Sequence, residues 1–239
     1  MKSKIKIVVV LVLVLAILSS VVYIFLDYLP QKRAEEEIRQ AMADYYDAKV
    51  KQFEEENKTI VPGSTQVAFI GDSLTDGYDL KTYYPDLVTL NRGIGGDTTF
   101  GVEKRLQPSL YDVQPQVVVM LIGANNMSEM FENYEEILIS MKKNLPESEI
   151  VLVSLTSMGG TWARNNNLAA FNNVKIKALA EKHGLHFVDV YTPLLNMETN
   201  EIYEEYTTDG GHLTPLGYQV LTNEIRPVLD AILTEKTEK

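Results

Sequence analysis

The stretch that decides the fold is Val67-Ala68-Phe69-Ile70, followed directly by Gly71-Asp72-Ser73-Leu74. An apolar run without polar alternation is typical of a strand that is buried on both faces. Similar runs recur along the chain at residues 117–122, 150–155 and 186–190, and a weaker one lies at residues 87–90. The intervening stretches have helical length and periodicity, at residues 98–110, 130–144, 164–183 and 215–234.

Strands that alternate with helices predict a parallel sheet with right-handed crossovers, and hence a three-layer α/β domain. In such sheets the functional site lies beyond the carboxyl ends of the strands. The residues that directly follow each apolar run are therefore the candidates for chemistry.

Polar and glycine-rich blocks occupy those positions. They are Gly71 to Gly77, Asn91 to Thr98, Gly123-Ala124-Asn125-Asn126 and, beyond the last strand, Asp209-Gly210-Gly211-His212-Leu213. A serine hydroxyl needs a base to become nucleophilic, and His212 can accept the proton of Ser73 while Asp209 orients the imidazole. The backbone N–H groups of Ser73 and Gly96 and the side-chain amide of Asn125 are available to hold an oxyanion.

Together these blocks resemble the SGNH, or GDSL, hydrolase family over about residues 66–234. Asn91 to Thr99 also resembles the acetylhydrolase branch that includes the platelet-activating-factor enzymes. The resemblance implies a flavodoxin-like sandwich, Ser73 as nucleophile, His212 as base oriented by Asp209, and Gly96 with Asn125 in the oxyanion hole. It implies no metal and no organic cofactor. The chain departs from the family's usual Gly-x-Asn-Asp at Asn126, which leaves the donor Asn125 in place.

Other polar residues near these blocks have ordinary interpretations. Asp72 is expected to shape its own turn by local hydrogen bonding, and Asp97 to cap the following helix. His183 precedes Gly184 at an expected helix end, and His186 is expected to pack at the start of a strand.

Two loops are expected to line the acyl and leaving-group pockets, at residues 127–131 and 157–164. Met127 begins the first loop. Trp162, the single tryptophan, lies beside glycines in the second, where it could serve as a lid or stack on a sugar ring. Simple surface packing is the alternative for Trp162.

The N-terminal region predicts a membrane anchor. Ile7 to Leu26 has no charged residue and is long enough as a helix to cross a bilayer. Its bulky end favours an uncleaved anchor over a cleaved signal peptide. Three lysines precede the run, which favours a cytoplasmic N-terminus and an extracytoplasmic body. The expected domains are an anchor (1–28), a charged helical stalk with linker (29–65) and a hydrolase domain (66–239).

Composition limits the partners. The net charge of −11 should repel nucleic acid, and the absence of cysteine excludes thiolate chemistry and disulfides. The expected substrate is an acylated small molecule or carbohydrate, with the membrane contacted through the N-terminal helix. Three functions stay open: an esterase for short acyl groups, acetyl above all; a lysophospholipase or thioesterase for longer chains; and a catalytically silent scaffold. The sequence leaves the oligomeric state open.

Overall fold

The computed structural model describes residues 13, 15 and 18–238. The chain divides into two compact units, residues 1–47 and residues 48–239. Among the described residues, no helix is both long and apolar enough to cross a bilayer. Most of the predicted anchor, residues 1–28, lies outside the described residues.

The helices and strands follow the predicted alternation in the second unit. The α-helices are α1 (Leu29–Asn57), α2 (Ser73–Asp76), α3 (Leu80–Tyr83), α4 (Thr99–Lys104), α5 (Tyr134–Asn144), α6 (Asn166–His183), α7 (Tyr191–Leu194) and α8 (Pro215–Thr237). The strands are β1 (Val67–Gly71), β2 (Thr89–Gly93), β3 (Val117–Leu121), β4 (Glu149–Val153), β5 (His186–Val188), β6 (Leu195–Asn196) and β7 (Glu201–Ile202).

The central sheet has five parallel strands in the order β2-β1-β3-β4-β5. This is the flavodoxin-like order, in which the strand order reverses between β1 and β3: β2 is added on one side of β1, and β3 to β5 are added on the other. Both β1 and β3 are buried along their whole length, as their unbroken apolar sequences predict. A two-stranded antiparallel pair, β6 with β7, lies outside this sheet.

Helices cover both faces of the sheet. Ala68 and Ile70 of β1 face a core formed with α4, α5 and α6. Val67 and Phe69 face the opposite core, which α8 and the short helices α2 and α3 close. Alternate side chains of one strand therefore pack in two separate cores, one on each face of the sheet. The predicted three-layer α/β arrangement is confirmed.

The segment from residue 98 to residue 111 differs from its prediction as one helix. It contains α4, which ends at Lys104, and a separate π-helical turn at Gln107–Tyr111. Pro108 has no N–H to donate to an α-helical ladder, which accounts for the break. The strand expected at residues 87–90 is β2, shifted to Thr89–Gly93, because its second half is polar and escapes a hydropathy pattern.

The end of α1 belongs to the second unit, although the sequence predicted a stalk and linker over residues 29–65. Phe53 is only 1% exposed. Its ring lies 4.6 Å from the guanidinium carbon of Arg92, which is itself fully buried. Glu56 forms an ion pair with Arg92, and Asn57 accepts a hydrogen bond from it at 2.8 Å. These contacts fix the last turns of α1 against the sheet.

Candidate active site

Ser73 is the first residue of α2, and one residue, Asp72, separates it from the end of β1. Asp72 caps the helix, because its Oδ1 accepts a hydrogen bond from the Leu74 N–H at 3.1 Å. This confirms the predicted local role of Asp72 in the turn. The arrangement places the Ser73 hydroxyl at the carboxyl edge of the central sheet, beside the N-terminus of a helix.

Asp209 and His212 lie in one loop between Thr207 and Leu213, which form an isolated antiparallel bridge. Asp209 Oδ1 accepts from the His212 N–H at 2.7 Å, and Asp209 Oδ2 lies 2.7 Å from His212 Nδ1. The backbone N–H of His212, followed by its imidazole, holds the pKa of Asp209 at about 2. The carboxylate is therefore charged at any neutral pH and can fix one tautomer of the imidazole.

Gly210 allows this loop to approach the segment after β4. The Gly159 N–H donates to the Gly210 carbonyl at 2.8 Å. The φ of Gly210 is +89°, and a Cβ there would lie 2.2 Å from the Gly159 carbonyl oxygen. A side chain at this position would push the loop, and His212 with it, away from Ser73.

His212 Nε2 lies 3.1 Å from Ser73 Oγ. The chain of contacts from Ser73 through His212 to Asp209 thus has the distances that proton transfer from a hydroxyl requires. The side chains of His212 and Asp209 are 51% and 49% exposed, so the relay opens to solvent. The structure brings together all three residues that the sequence predicted for this relay.

The predicted oxyanion donors converge at the same place. The Asp97 N–H donates to the Ile94 carbonyl at 3.1 Å, which closes a tight turn, and Gly96 within it has a φ of +76°. Asn125 Nδ2 donates to the Asp97 carbonyl at 2.8 Å. A primary amide has two hydrogens, so this bond orients Asn125 and leaves its second hydrogen for another acceptor.

The prediction that Asp97 caps the following helix is wrong. Thr98 is the N-cap of α4, and its hydroxyl accepts from the Gly101 N–H. Asp97 instead forms a buried ion pair with Arg105, whose Nε donates to Asp97 Oδ2 at 2.8 Å. Both groups are buried, so a carboxylate at this position without the guanidinium would be strongly destabilising.

Arg105 links the two strands that carry the site, and only 1% of it is exposed. Its Nη2 donates to the Gly71 carbonyl at 2.9 Å, at the end of β1. Its Nη1 donates to the Arg92 carbonyl at 2.8 Å, near the end of β2. Together with the Asp97 contact, one guanidinium joins the segments that precede Ser73 and flank Gly96.

A cavity of about 330 Å³ opens beside Ser73. Its polar lining includes Ser73, Gly96, Asn125 and His212, and its apolar lining includes Leu74, Ala124, Met158 and Trp162. Trp162 is 42% exposed, and a Cβ at Gly211, next to His212, would lie 3.2 Å from its Nε1.

Met127 does not line this cavity, contrary to its prediction as a substrate-binding residue. It is 7% exposed and packs in the core beneath α6, where its carbonyl accepts from Asn172 Nδ2. The 3-10 turn at Ala124–Asn126 directs the following residue inward, so Met127 belongs to the core. Met158, from the second predicted loop, is the methionine of the cavity wall.

The remaining predictions concern Asn126 and two histidines. Asn126 Nδ2 donates to Thr99 Oγ1 at 2.9 Å, which ties its turn to α4. His183 ends α6 before Gly184, as predicted, and its Nε2 also lies 2.6 Å from Glu135 Oε1. His186 begins β5, as predicted, and is half-buried there; its Nε2 lies 3.5 Å from Glu149 Oε2.

Burial raises the pKa of Asp72 to about 7. Its Oδ2 is buried and has no hydrogen-bond partner among the residues that the structure describes. The carboxyl group therefore takes up a proton far more readily than an exposed aspartate, directly beside Ser73.

Sequence reasoning missed the residues that support the site from below, above all Arg105, Asp76 and Lys49. The Asp76 carboxylate bonds both to Lys49 Nζ and to the Gly95 N–H. No local pattern distinguishes Arg105 and Lys49 from solvated charged residues. A signal existed only for Asp76, which lies one helical turn after Ser73 and before a glycine.

The model of the GDSL-like lipase/acylhydrolase family matches residues 69–220. Among curated proteins, the chain is 29% identical over 182 residues to the platelet-activating factor acetylhydrolase IB subunit alpha1 of Bos taurus, covering 71% of this chain and 77% of that protein.

Solved structures share the fold. A protein from Streptococcus pneumoniae named after platelet activating factor superimposes with a TM-score of 0.75 at 25% identity, covering 83% of this chain and 99% of that one. An acetylxylan esterase from Geobacillus stearothermophilus gives a TM-score of 0.58 at 18% identity, covering 71% and 95%.

Proposed function

This chain belongs to the GDSL-like lipase/acylhydrolase family of ester-hydrolysing enzymes, and from that premise we propose that it removes a short acyl group, acetyl above all, through Ser73, His212 and Asp209. The observation that carries the proposal is the unbroken contact chain of 3.1 Å and 2.7 Å that joins the three side chains at one end of the cavity.

The proposed reaction begins when Ser73 Oγ attacks the ester carbonyl carbon and passes its proton to His212 Nε2. Asp209 accepts a hydrogen bond from Nδ1 and stabilises the imidazolium that forms. The oxyanion takes hydrogen bonds from the N–H groups of Ser73 and Gly96 and from Asn125. The tetrahedral intermediate collapses, and the imidazolium protonates the departing alcohol. A water molecule then releases the acid from the acyl-enzyme by the same steps.

The size of the cavity supports a short acyl group. Its volume of about 330 Å³ lies at the lower end of the range of about 300–1,000 Å³ for small-molecule sites. Part of that space must hold the leaving group, which leaves little for a long acyl chain. The relationship to the platelet-activating factor acetylhydrolase of Bos taurus supports the same choice.

Trp162 supports a carbohydrate as the leaving group. It is 42% exposed at the cavity, and its ring offers a flat apolar face on which a sugar can pack.

A chain-length series tests the proposal. Initial rates on p-nitrophenyl esters from acetate to palmitate should be highest for acetate, and Ser73→Ala should abolish them all. Ser64→Ala, a change at an exposed serine before β1, is the matched control and should retain wild-type rates. A preference for palmitate would favour a lysophospholipase or thioesterase, and activity in Ser73→Ala would contradict the assignment of the nucleophile.

We also propose that residues 1–28 tether the enzyme to a membrane with the catalytic domain outside the cytoplasm. The support is the charge-free run from Ile7 to Leu26 and the three lysines before it. The full chain should stay with the membrane fraction after an alkaline carbonate wash, and protease added to intact cells or spheroplasts should cleave the domain. Recovery in the wash would contradict the tether, and protection from protease would contradict the orientation.

A further inference from the structure

Asp76 connects three parts of the chain that lie far apart in sequence. Its Oδ1 accepts from Lys49 Nζ at 2.9 Å, and its Oδ2 accepts from the Gly95 N–H at 3.0 Å. Both side chains of the ion pair are only 18% exposed. A charged pair this far from solvent holds its geometry more firmly than a surface pair.

The Gly95 contact bears directly on the proposed oxyanion hole. Gly95 immediately precedes Gly96, whose N–H is one of the proposed donors. Asp76 is the last residue of α2, and Ser73 is the first. One carboxylate therefore fixes the helix that carries the nucleophile against the turn that carries the donor. Without this acceptor, the two adjacent glycines would leave the peptide between them free to rotate.

A second tie holds the end of α2 in place. Asn91 Nδ2, on β2, donates to the Thr75 carbonyl at 2.7 Å and to the Tyr78 carbonyl at 3.1 Å. The Asn91 contacts fix the backbone of α2, so the Asp76 side chain extends from a rigid base. The carboxylate can then hold the Gly95 N–H in a fixed position relative to α2.

Lys49 is held by its own helix. Phe53, one turn further along α1, is buried, and the Lys49 ammonium lies 5.5 Å from its ring centroid. The next turn is fixed by the ion pair of Glu56 with Arg92 and by a 2.7 Å hydrogen bond from Asn57 Nδ2 to the Pro108 carbonyl. The cation thus reaches Asp76 from a segment that is anchored to the domain.

We propose that Asp76 is a positioning residue for the oxyanion hole, and that Lys49 of α1 completes the active site by holding Asp76 on the Gly95 N–H. The inference rests on the proposed function. It makes residues 48–57 part of the support of the catalytic centre, so the N-terminal helix contributes to catalysis as well as joining the domain to what precedes it.

The test compares full-chain Asp76→Ala, Lys49→Met and Lys49→Arg with wild type on p-nitrophenyl acetate. Misplacing a reacting group by about 1 Å can cost about 100-fold, so Asp76→Ala should lower kcat by about 10- to 100-fold with KM within about twofold. Lys49→Met should lower kcat in the same way but less, and Lys49→Arg should retain it. Lys51→Met, at an exposed position of the same helix, is the matched control and should retain wild-type kcat.

The coupling between the two residues is measured with the double variant. If Lys49 acts only through Asp76, then Lys49→Met should add nothing to the loss in Asp76→Ala. Fully additive losses would contradict the link between the two residues.

Amide hydrogen exchange separates this inference from the proposed function. Exchange of the peptide that contains Gly95 should quicken in Asp76→Ala and Lys49→Met, while exchange in β3 stays at the wild-type rate. A wild type without esterase activity would refute the proposed function, yet exchange would still report whether Asp76 holds the turn. Unchanged exchange at Gly95, an unchanged kcat, or a loss that merely follows faster exchange throughout the domain would each overturn the inference.

Discussion

Replacing Asn125 by alanine should separate catalysis from stability more sharply than any other single change near Ser73. Asn125 Nδ2 donates one of its two hydrogens to the Asp97 carbonyl, at 2.8 Å. In the proposed mechanism the other hydrogen meets the oxyanion. Asn125→Ala removes both interactions, but only the second exists solely in the transition state.

The two losses differ in size. Removing one oxyanion donor costs about 2.7–4 kcal/mol, which lowers kcat by about 100- to 1,000-fold. The hydrogen bond to Asp97 contributes about 0.5–1.5 kcal/mol to folding. Asn125 is exposed, so water can replace that bond and the stability loss should lie at the lower end. A nearly inactive enzyme of nearly wild-type stability is therefore expected.

The assay measures kcat and KM on p-nitrophenyl acetate together with urea unfolding. Asn126→Ala is the matched control, because its amide donates to Thr99 and does not line the cavity; its kcat should stay within about threefold, or about 0.7 kcal/mol, of wild type. If Asn125→Ala keeps kcat within the same limit, or changes KM alone, then Asn125 is not an oxyanion donor and the reasoning fails.

Other consequences concern the charged groups around Ser73. Asp209→Ala should lower kcat by at least about 1,000-fold, and because the pKa of Asp209 is about 2, the wild-type rate should show no titration of this group between pH 4 and 9 in a pH–rate profile. Arg105→Met leaves the Asp97 carboxylate buried without its partner and should cost about 3–5 kcal/mol of unfolding free energy; a cost below about 1 kcal/mol in urea titration would contradict the described network. Asp72 has a folded-state pKa of about 7, above the ordinary 3.8, so the folded protein holds this proton more tightly than the unfolded chain, and stability is lost as the pH rises from about 4 to 7. Asn cannot ionise at this position, so the free energy of unfolding of Asp72→Asn should rise relative to that of wild type by up to about 4 kcal/mol as the pH goes from 4 to 8. If the two proteins show the same dependence of stability on pH, the raised pKa of Asp72 is contradicted.

The buried strands and the polar residues after them could be predicted from sequence because each depends on a short local pattern. The unbroken apolar run before Ser73 predicts a strand with two buried faces, and β1 has them. The carboxyl ends of parallel strands share one edge, so Ser73, Asn125 and His212 were expected to meet, and they line one cavity.

The support beneath the site could not be predicted, because it depends on charges whose partners are distant in sequence. Arg105 is of a residue type that usually lies at the surface, yet it is buried and donates hydrogen bonds to the carbonyls of two strands. Lys49 lies in a charged helix for which the sequence predicts a stalk, yet it pairs with Asp76, 27 residues away. The prediction for Met127 was wrong in the other direction: a loop residue next to the site in sequence has its side chain in the hydrophobic core.

The most direct test of the central claim is to label the folded protein with a fluorophosphonate probe and to locate the adduct by peptide mass spectrometry. The proposed mechanism predicts one adduct, on Ser73, which is absent from Ser73→Ala, from the urea-unfolded chain and largely from His212→Ala. An adduct on another serine, or ester hydrolysis that survives without any adduct on Ser73, would contradict it.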